Sequence, residues 1–222
     1  DILMDGAEPL GERWNFDAEN RKSFSKSALA EIPQPLIFEN DASAAIARLE
    51  KHKIRTIGKA DTSLLWPVDR SQSLQLLEYF CEHGLSKFGL YQDAMTANSE
   101  HQWSLYHSRL SFSLNTKMLH PMQVIQSAIQ SFENSNGSIN LAQVEGFIRQ
   151  ILGWREYVRG MYWSNMPNYS TANSLDANRP LPSWFWSGNT RMNCVKQTVQ
   201  QTMNYSYAHH IQRLIVTGNF SL

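Results

Sequence analysis

Cys194-Val-Lys-Gln-Thr-Val-Gln-Gln-Thr-Met-Asn-Tyr-Ser-Tyr-Ala-His-His-Ile-Gln-Arg-Leu214 reads as one long helix. Val195, Val199, Met203, Tyr207, His210 or Ile211, and Leu214 recur at steps of three and four, so a single stripe faces inward and His210 lies on it. His209 and Arg213 are four apart and share the polar flank, within reach of one anionic ligand. Gly218 follows as a stop signal. A helix that carries an imidazole, a guanidinium and two tyrosines along its core-facing side builds either a polar core or a pocket.

Composition narrows the setting. The 222 residues suffice for a substantial core, and Lys plus Arg equals Asp plus Glu, so net charge gives no footprint for nucleic acid or an anionic membrane. Cys81 and Cys194 are the sequence's two cysteines, too few for a disulfide framework or a closed zinc site. No signal-peptide pattern precedes Ile2-Leu3-Met4 and no apolar run nears the length of a membrane span, so a soluble protein in a reducing, cytoplasmic setting is expected. Seven Trp and eight Tyr serve equally as core filler and as stacking surfaces for planar ligands.

Residues 1–39 carry scattered Gly and Pro and read as a linker or arm, with at most a short helix near Phe24 to Glu31. Within it, Arg13-Trp-Asn-Phe-Asp-Ala-Glu-Asn-Arg-Lys22 interleaves aromatics with alternating charge and is expected to dock onto something. Helices are predicted from Asn40 or Asp41 to about His52, and from Asp69 or Ser71 to a stop at His83-Gly84, with Leu74, Leu77, Phe80 and Cys81 inward. Pro121 opens another, ended by Asn134-Ser-Asn-Gly137. Leu141 to Trp163 forms a long helix with Val144, Phe147, Ile148, Ile151, Leu152, Tyr157, Val158 and Met161 inside. Gly146, Gly153 and Gly160 repeat every seven residues along it and would let a neighbour approach closely. Tyr106-His-Ser-Arg-Leu-Ser111 gathers hydroxyls and an arginine at a short helix entry, either a phosphate cradle or an ordinary serine cap. The loop 165–182 is long enough to suggest function. No sustained strand alternation appears, so the fold class is mainly α.

These segments carry a resemblance. Glu145-Gly-Phe-Ile-Arg-Gln-Ile-Leu-Gly-Trp-Arg-Glu-Tyr157 resembles the flavin-side helix of photolyases and cryptochromes, and His107-Ser-Arg-Leu-Ser111 their loop that holds FAD phosphates. Tyr207-Ala-His-His-Ile-Gln-Arg213 is similar to the paired-histidine helix of (6-4) photolyases. With Arg13 to Lys22, Phe88-Gly-Leu-Tyr-Gln-Asp-Ala-Met95 and Met192-Asn-Cys194, the resemblance covers nearly the whole chain and is strongest to the bacterial iron–sulfur cryptochrome and photolyase family, the photolyase-related proteins.

The resemblance implies a helical domain that holds FAD, and electron transfer from excited reduced flavin to a flipped-out (6-4) lesion in damaged DNA. It implies Tyr91, His107, Ser108, Arg109, Leu110 and Ser111 around the FAD phosphates and ribityl chain, and Arg155 and Arg213 near the flavin. His210, with His209 beside it, would face the lesion as proton donor or hydrogen-bond partner, a role suited to imidazole near neutral pH. Trp186 would pass electrons from the surface, and Cys194 would be one of four ligands to a 4Fe-4S cluster in a longer parent. In this chain by itself Cys194 reads as a capped, buried thiol.

The pattern departs from the family in three respects. Leu214 stands where animal (6-4) enzymes have a further histidine; the amino-terminal α/β antenna domain is not encoded; and neither are half of the flavin pocket and three cluster cysteines. The expectation is therefore a central fragment: residues 1–39 as the arm from a missing α/β domain, and 40–222 as the N-terminal portion of the FAD-binding domain. Such a fragment would be inactive, would hold neither FAD nor the cluster tightly, and would favour dimerisation or aggregation through its open core. Three other readings stand beside it: a cryptochrome-type light-signalling protein, a non-catalytic helical module that binds a protein partner, and a single-stranded nucleic-acid binder using Trp184 and Trp186.

Overall fold

Cap residues, prolines and apolar spacing decide where the helices lie in the computed structural model, which describes residues 2–221. In chain order they are α1 (Lys26–Ala30), α2 (Ser43–Lys51), α3 (Arg70–Tyr79), α4 (Leu85–Phe88), α5 (Ser111–Asn115), α6 (Pro121–Glu133), α7 (Leu141–Asn165), α8 (Trp184–Ser187), α9 (Asn193–Tyr205) and α10 (Gly218–Ser221). Two antiparallel pairs of two-residue strands accompany them: β1 (Met4–Asp5) with β2 (Glu8–Pro9), and β3 (Asn40–Asp41) with β4 (Ser63–Leu64). The fold is mainly α. Contacts divide it into two units, one comprising the chain up to Phe38 together with Leu65–Ser164, the other Glu39–Leu64 and the chain from Asn165 onward. Asp1 and Leu222, the outer limits of the ranges 1–39 and 40–222, lie outside the described residues.

The first unit has a continuous apolar core. Leu76, Leu77, Phe80, Leu85 and Phe88 meet Val124, Ile125 and Ala128 of α6 and Val144, Phe147, Ile148 and Ile151 of α7. Asp69 starts α3 by accepting the Gln72 amide at 2.8 Å. Replacing it with alanine leaves that first-turn donor without its side-chain partner, so Asp69→Ala is expected to cost about 1 kcal/mol in urea unfolding. Gly84 does not stop the helix as predicted. A π turn, Phe80–Gly84, carries α3 into α4, and the glycine instead allows close packing: a Cβ there would lie 2.7 Å from Phe80 and 3.1 Å from the Tyr106 carbonyl oxygen. Leu77 and Phe80 are buried as predicted, together with Leu76, whereas Leu74 lies at the surface on the edge of that face.

Helix α7 matches its expected span, but only its first half is buried. Leu152, Tyr157 and Val158, predicted inside, are exposed, and so are Trp154, Tyr162 and Trp163. Periodicity marks the apolar stripe, whereas its burial depends on whether other elements reach it, and those of the core stop at Ile151. The glycine heptad divides in the same way: a Cβ at Gly146 would lie 2.8 Å from Asn20 Nδ2, while at Gly160 it would meet nothing within 4 Å.

The aromatic and charged phrase near the start docks on α7, as expected. Asn20, fully buried, donates from Nδ2 to the Ala142 carbonyl at 2.9 Å, and the Phe16 amide donates to Glu145 Oε2 at 3.4 Å. Asp17 accepts from Gln92 at 3.0 Å and pairs with Arg21 and, at 3.6 Å, with Arg149. The hydrogen bond from Arg21 above all, with help from Gln92 and Arg149 and against partial burial, holds the Asp17 carboxyl below the usual carboxylate range.

In the second unit the predicted helix 194–214 is interrupted. α9 ends at Tyr205 because Ser206 adopts a left-handed conformation (φ 52°), its amide closing on the Thr202 carbonyl at 2.8 Å. Helix resumes at His210, runs through a π segment, Ile211–Thr217, and continues into α10, so Gly218 is helical (φ −58°) and not a stop. Sequence periodicity did not register the break because Ser206 is neither glycine nor asparagine, the usual residues at that conformation. Val195, Thr198 and Val199 are buried as the stripe requires. Gly58 (φ 82°) brings the Lys59 amide to the Met203 carbonyl at 2.8 Å, and a Cβ at Gly58 would lie 2.8 Å from that carbonyl oxygen.

Candidate functional site

Two groups of chemistry-bearing side chains stand out, one in each unit. In the first unit, the segment after Trp103 turns sharply through Leu105 (φ 48°) and Arg109 (φ 55°), two non-glycine residues in the left-handed region. This brings Ser104–Arg109 against Pro33, Pro35, Tyr79, Phe80 and Gly84, around a small recess. Tyr106 is buried and donates its hydroxyl to the Ala28 carbonyl at 3.2 Å. Desolvation is the main reason its phenol is pushed up to about 12. Phe24 stacks on Tyr91 at 4.7 Å and on Tyr106 at 6.3 Å, so Tyr91 joins the wall of this region. The His107 ring meets Phe88 edge-on at 5.6 Å. Arg109, only 4% exposed, places its guanidinium carbon 5.2 Å from the centre of the Trp103 ring.

Of the residues singled out in the sequence, Tyr91, His107, Ser108, Arg109 and Leu110 are therefore gathered in one region. His107, Ser108 and Tyr91 are partly exposed, Arg109 and Leu110 are buried, and Ser111 is exposed at the start of α5. The ordinary serine cap does not occur, since Leu110 precedes α5 without a side-chain cap. Arg155 belongs to the exposed half of α7, where NH1 donates to the Ile151 carbonyl at 3.0 Å.

In the second unit His209 and His210 stack at 4.4 Å with their planes 26° apart. The sequence placed His210 inward and His209 on the polar flank; the break at Ser206 rotates the segment, so His209 is buried (3% exposed) and His210 half-buried. His209 Nδ1 accepts the Ile211 amide at 3.1 Å, while the His209 amide donates to Gln212 Oε1 at 2.8 Å. Gln212 and Gln201 exchange amide hydrogen bonds at 3.0 and 3.2 Å. Arg213 is exposed, as is Trp186 (58%). Cys194 is exposed at the start of α9, against its reading as a buried thiol, because the stripe beginning at Val195 points the preceding residue outward. Sequence reasoning missed Gln201 and Gln212, because eleven residues along an unbroken helix would hold them about 16 Å apart and their pairing depends on the break at Ser206.

Comparison with known proteins supplies the context. The family model for deoxyribodipyrimidine photo-lyase-related proteins matches residues 1–65. A (6-4) photolyase of Agrobacterium fabrum is 39% identical over 223 aligned residues, which take in 100% of this chain and 42% of that protein. The chain is similar to bacterial photolyases. An uncharacterized mimivirus protein is 32% identical over 120 residues, 52% of this chain and 85% of its own length. The chain thus spans less than half the length of the photolyase it matches. Among its described residues no helix is long and apolar enough to cross a membrane.

The sequence resemblance implies two cofactors, and the residues present bear on each differently. A diphosphate needs several hydrogen-bond donors within a few ångströms, and the region of Tyr91, His107 and Ser108 supplies phenol, imidazole and hydroxyl at partly exposed positions beside backbone in an open turn. That donor set fits the phosphate end of a dinucleotide. A 4Fe-4S cluster needs four thiolates, and the two cysteines of this sequence do not make that set.

Proposed function

We propose that this chain is the part of a light-driven DNA repair flavoprotein that holds the FAD phosphates and faces a (6-4) lesion. The observation that carries this reading is the match of the whole chain to a protein named a (6-4) photolyase, since both the 107–111 turn and the histidine pair fall inside it. In this reading residues 40 onward form the first portion of an FAD-binding domain, and those up to 39 are the arm that leads into it. Tyr91, His107, Ser108, Arg109, Leu110 and Ser111 surround the phosphates and ribityl chain, with Arg155 and Arg213 toward the ring system. Bound and reduced, the flavin supplies the electron that light promotes into the lesion. His210 donates a proton or hydrogen bond to the flipped-out base, and half-burial suits it to a group that must reach a substrate. Trp186, exposed on α8, offers a surface entry for electrons. Cys194 offers one thiolate, and this sequence does not supply the set of four that a 4Fe-4S cluster needs.

A chimera provides the test, with this chain replacing the matching segment of the Agrobacterium photolyase. Under blue light the flavin-loaded chimera is expected to restore an oligonucleotide carrying one (6-4) lesion. His210→Ala is expected to slow repair by about 10²–10⁴-fold, the usual contribution of a positioned proton donor. A chimera that binds flavin and repairs nothing would favour the light-signalling reading. One that binds no flavin would favour a helical protein-binding module, for which the exposed Trp154, Tyr157 and Trp163 of α7 offer a surface.

A further inference from the structure

The histidine pair is built on a local device whose parts lie eleven residues apart. Helix resumes at His210, so His209 stands where an N-cap belongs. Its Nδ1 accepts the Ile211 amide at 3.1 Å, and the Gln212 side chain returns to accept the His209 amide at 2.8 Å. This is the reciprocal geometry of a capping box, with an imidazole in place of the usual hydroxyl. Gln212, 3% exposed, is in turn held by Gln201 from α9, which donates to Gln212 Oε1 at 3.0 Å and accepts from Gln212 Nε2 at 3.2 Å. Gln201 Nε2 also reaches the Tyr207 carbonyl, at 3.5 Å, inside the interruption.

We propose that Gln212, braced by Gln201, is a positioning residue that fixes His209 as the neutral Nε2–H tautomer beside His210. This rests on the functional reading above. A backbone N–H can only donate, so the His209 nitrogen facing Ile211 must carry a lone pair, and the ring proton goes to Nε2. Protonating Nδ1 would set donor against donor and undo the cap. The His209 ring in turn stacks on that of His210, with centroids 4.4 Å apart.

The test is nuclear magnetic resonance of the whole chain labelled with ¹⁵N-histidine, with the His209 ring identified from a His209→Asn variant. The wild type is expected to show His209 as a single tautomer, bare at Nδ1 and protonated at Nε2. Gln212→Met is expected to mix the tautomers and to speed exchange of the His209 amide about five- to tenfold, the effect of losing one hydrogen bond. Gln212→Glu, which keeps an acceptor for that amide, is expected to restore both signatures. If Gln212→Met fails to fold, Gln201→Met removes the brace alone and should give the same change to a smaller degree. A wild-type His209 protonated at Nδ1, or variants that leave the tautomer and amide exchange unchanged, would overturn the proposal. Because neither readout involves repair, an inactive chimera with an intact His209 signature would reject the functional reading alone.

Discussion

Gly89→Ala is expected to loosen the amino-terminal arm from α7 and to lower stability by about 2–5 kcal/mol. Conformation alone predicts the opposite sign, because Gly89 has helical angles (φ −60°, ψ −47°) at which alanine is normally the more stable residue. The surroundings decide the outcome. A Cβ at this position would lie 2.8 Å from Asn20 Oδ1 and 2.9 Å from Gln143 Cα. Asn20 is fully buried and anchored to the Ala142 carbonyl, and Gln143 Cα belongs to the backbone of α7, so neither retreats without breaking a contact of the docked arm. Urea unfolding measures the loss. The double variant Asn20→Ala/Gly89→Ala should recover only part of it, because the clash with Gln143 persists; an unchanged midpoint for Gly89→Ala would contradict the packing described.

Tyr106→Ala is expected to cost about 3–5 kcal/mol, the range for deleting a buried aromatic ring. The ring supports Ile32, Leu105, Phe24 and Tyr91, so its loss also removes the wall of the recess. Tyr106→Phe keeps the stack and withdraws only the donor to the Ala28 carbonyl, an expected cost of about 1–2 kcal/mol. Alkali separates the wild type from Tyr106→Phe. Burial holds the Tyr106 phenol up to about 12, above an unfolded tyrosine near 10, so the folded state keeps its proton longer. Its stabilising contribution is complete below about pH 10 and fades as pH rises toward about 12. The wild type should therefore lose stability across that interval, and Tyr106→Phe should lose less. The opposite sign applies to Asp17, whose contribution is present above the ordinary carboxylate range and is lost as acid protonates it in the folded state.

What the sequence disclosed, and what it concealed, follows from the range of the forces involved. Pro121, Asp69 and the apolar steps of 141–163 are local signals, and α6, α3 and α7 lie where they point. The gathering of Tyr91 with His107–Leu110 was reached through resemblance, because it depends on a turn at Arg109 whose positive φ no glycine announces. The exposure of Trp154 and Tyr157 escaped because a stripe of apolar residues reveals its direction without its cover. His209 and His210 exchanged their expected environments for one reason: Ser206 breaks a period that runs without fault through the letters on either side. The glutamine clasp was invisible because its two hydrogen bonds form only after that break turns α9 and the following segment toward each other.

The discontinuity of the second unit sets a clock during synthesis. The excursion Glu39–Leu64 leaves the ribosome early, but the Met203 carbonyl that receives the Lys59 amide is made about 140 residues later. At about 5–20 residues per second, roughly 7–28 s pass before that bond can close. Residues 65–164 emerge in the interval and complete the first unit's core, while α2, which buries no residue and is only nine residues long, is too short to persist alone. A nascent chain stalled with residues up to about 170 outside the ribosome should therefore present a protease-resistant first unit with a cleavable loop between Phe38 and Leu65.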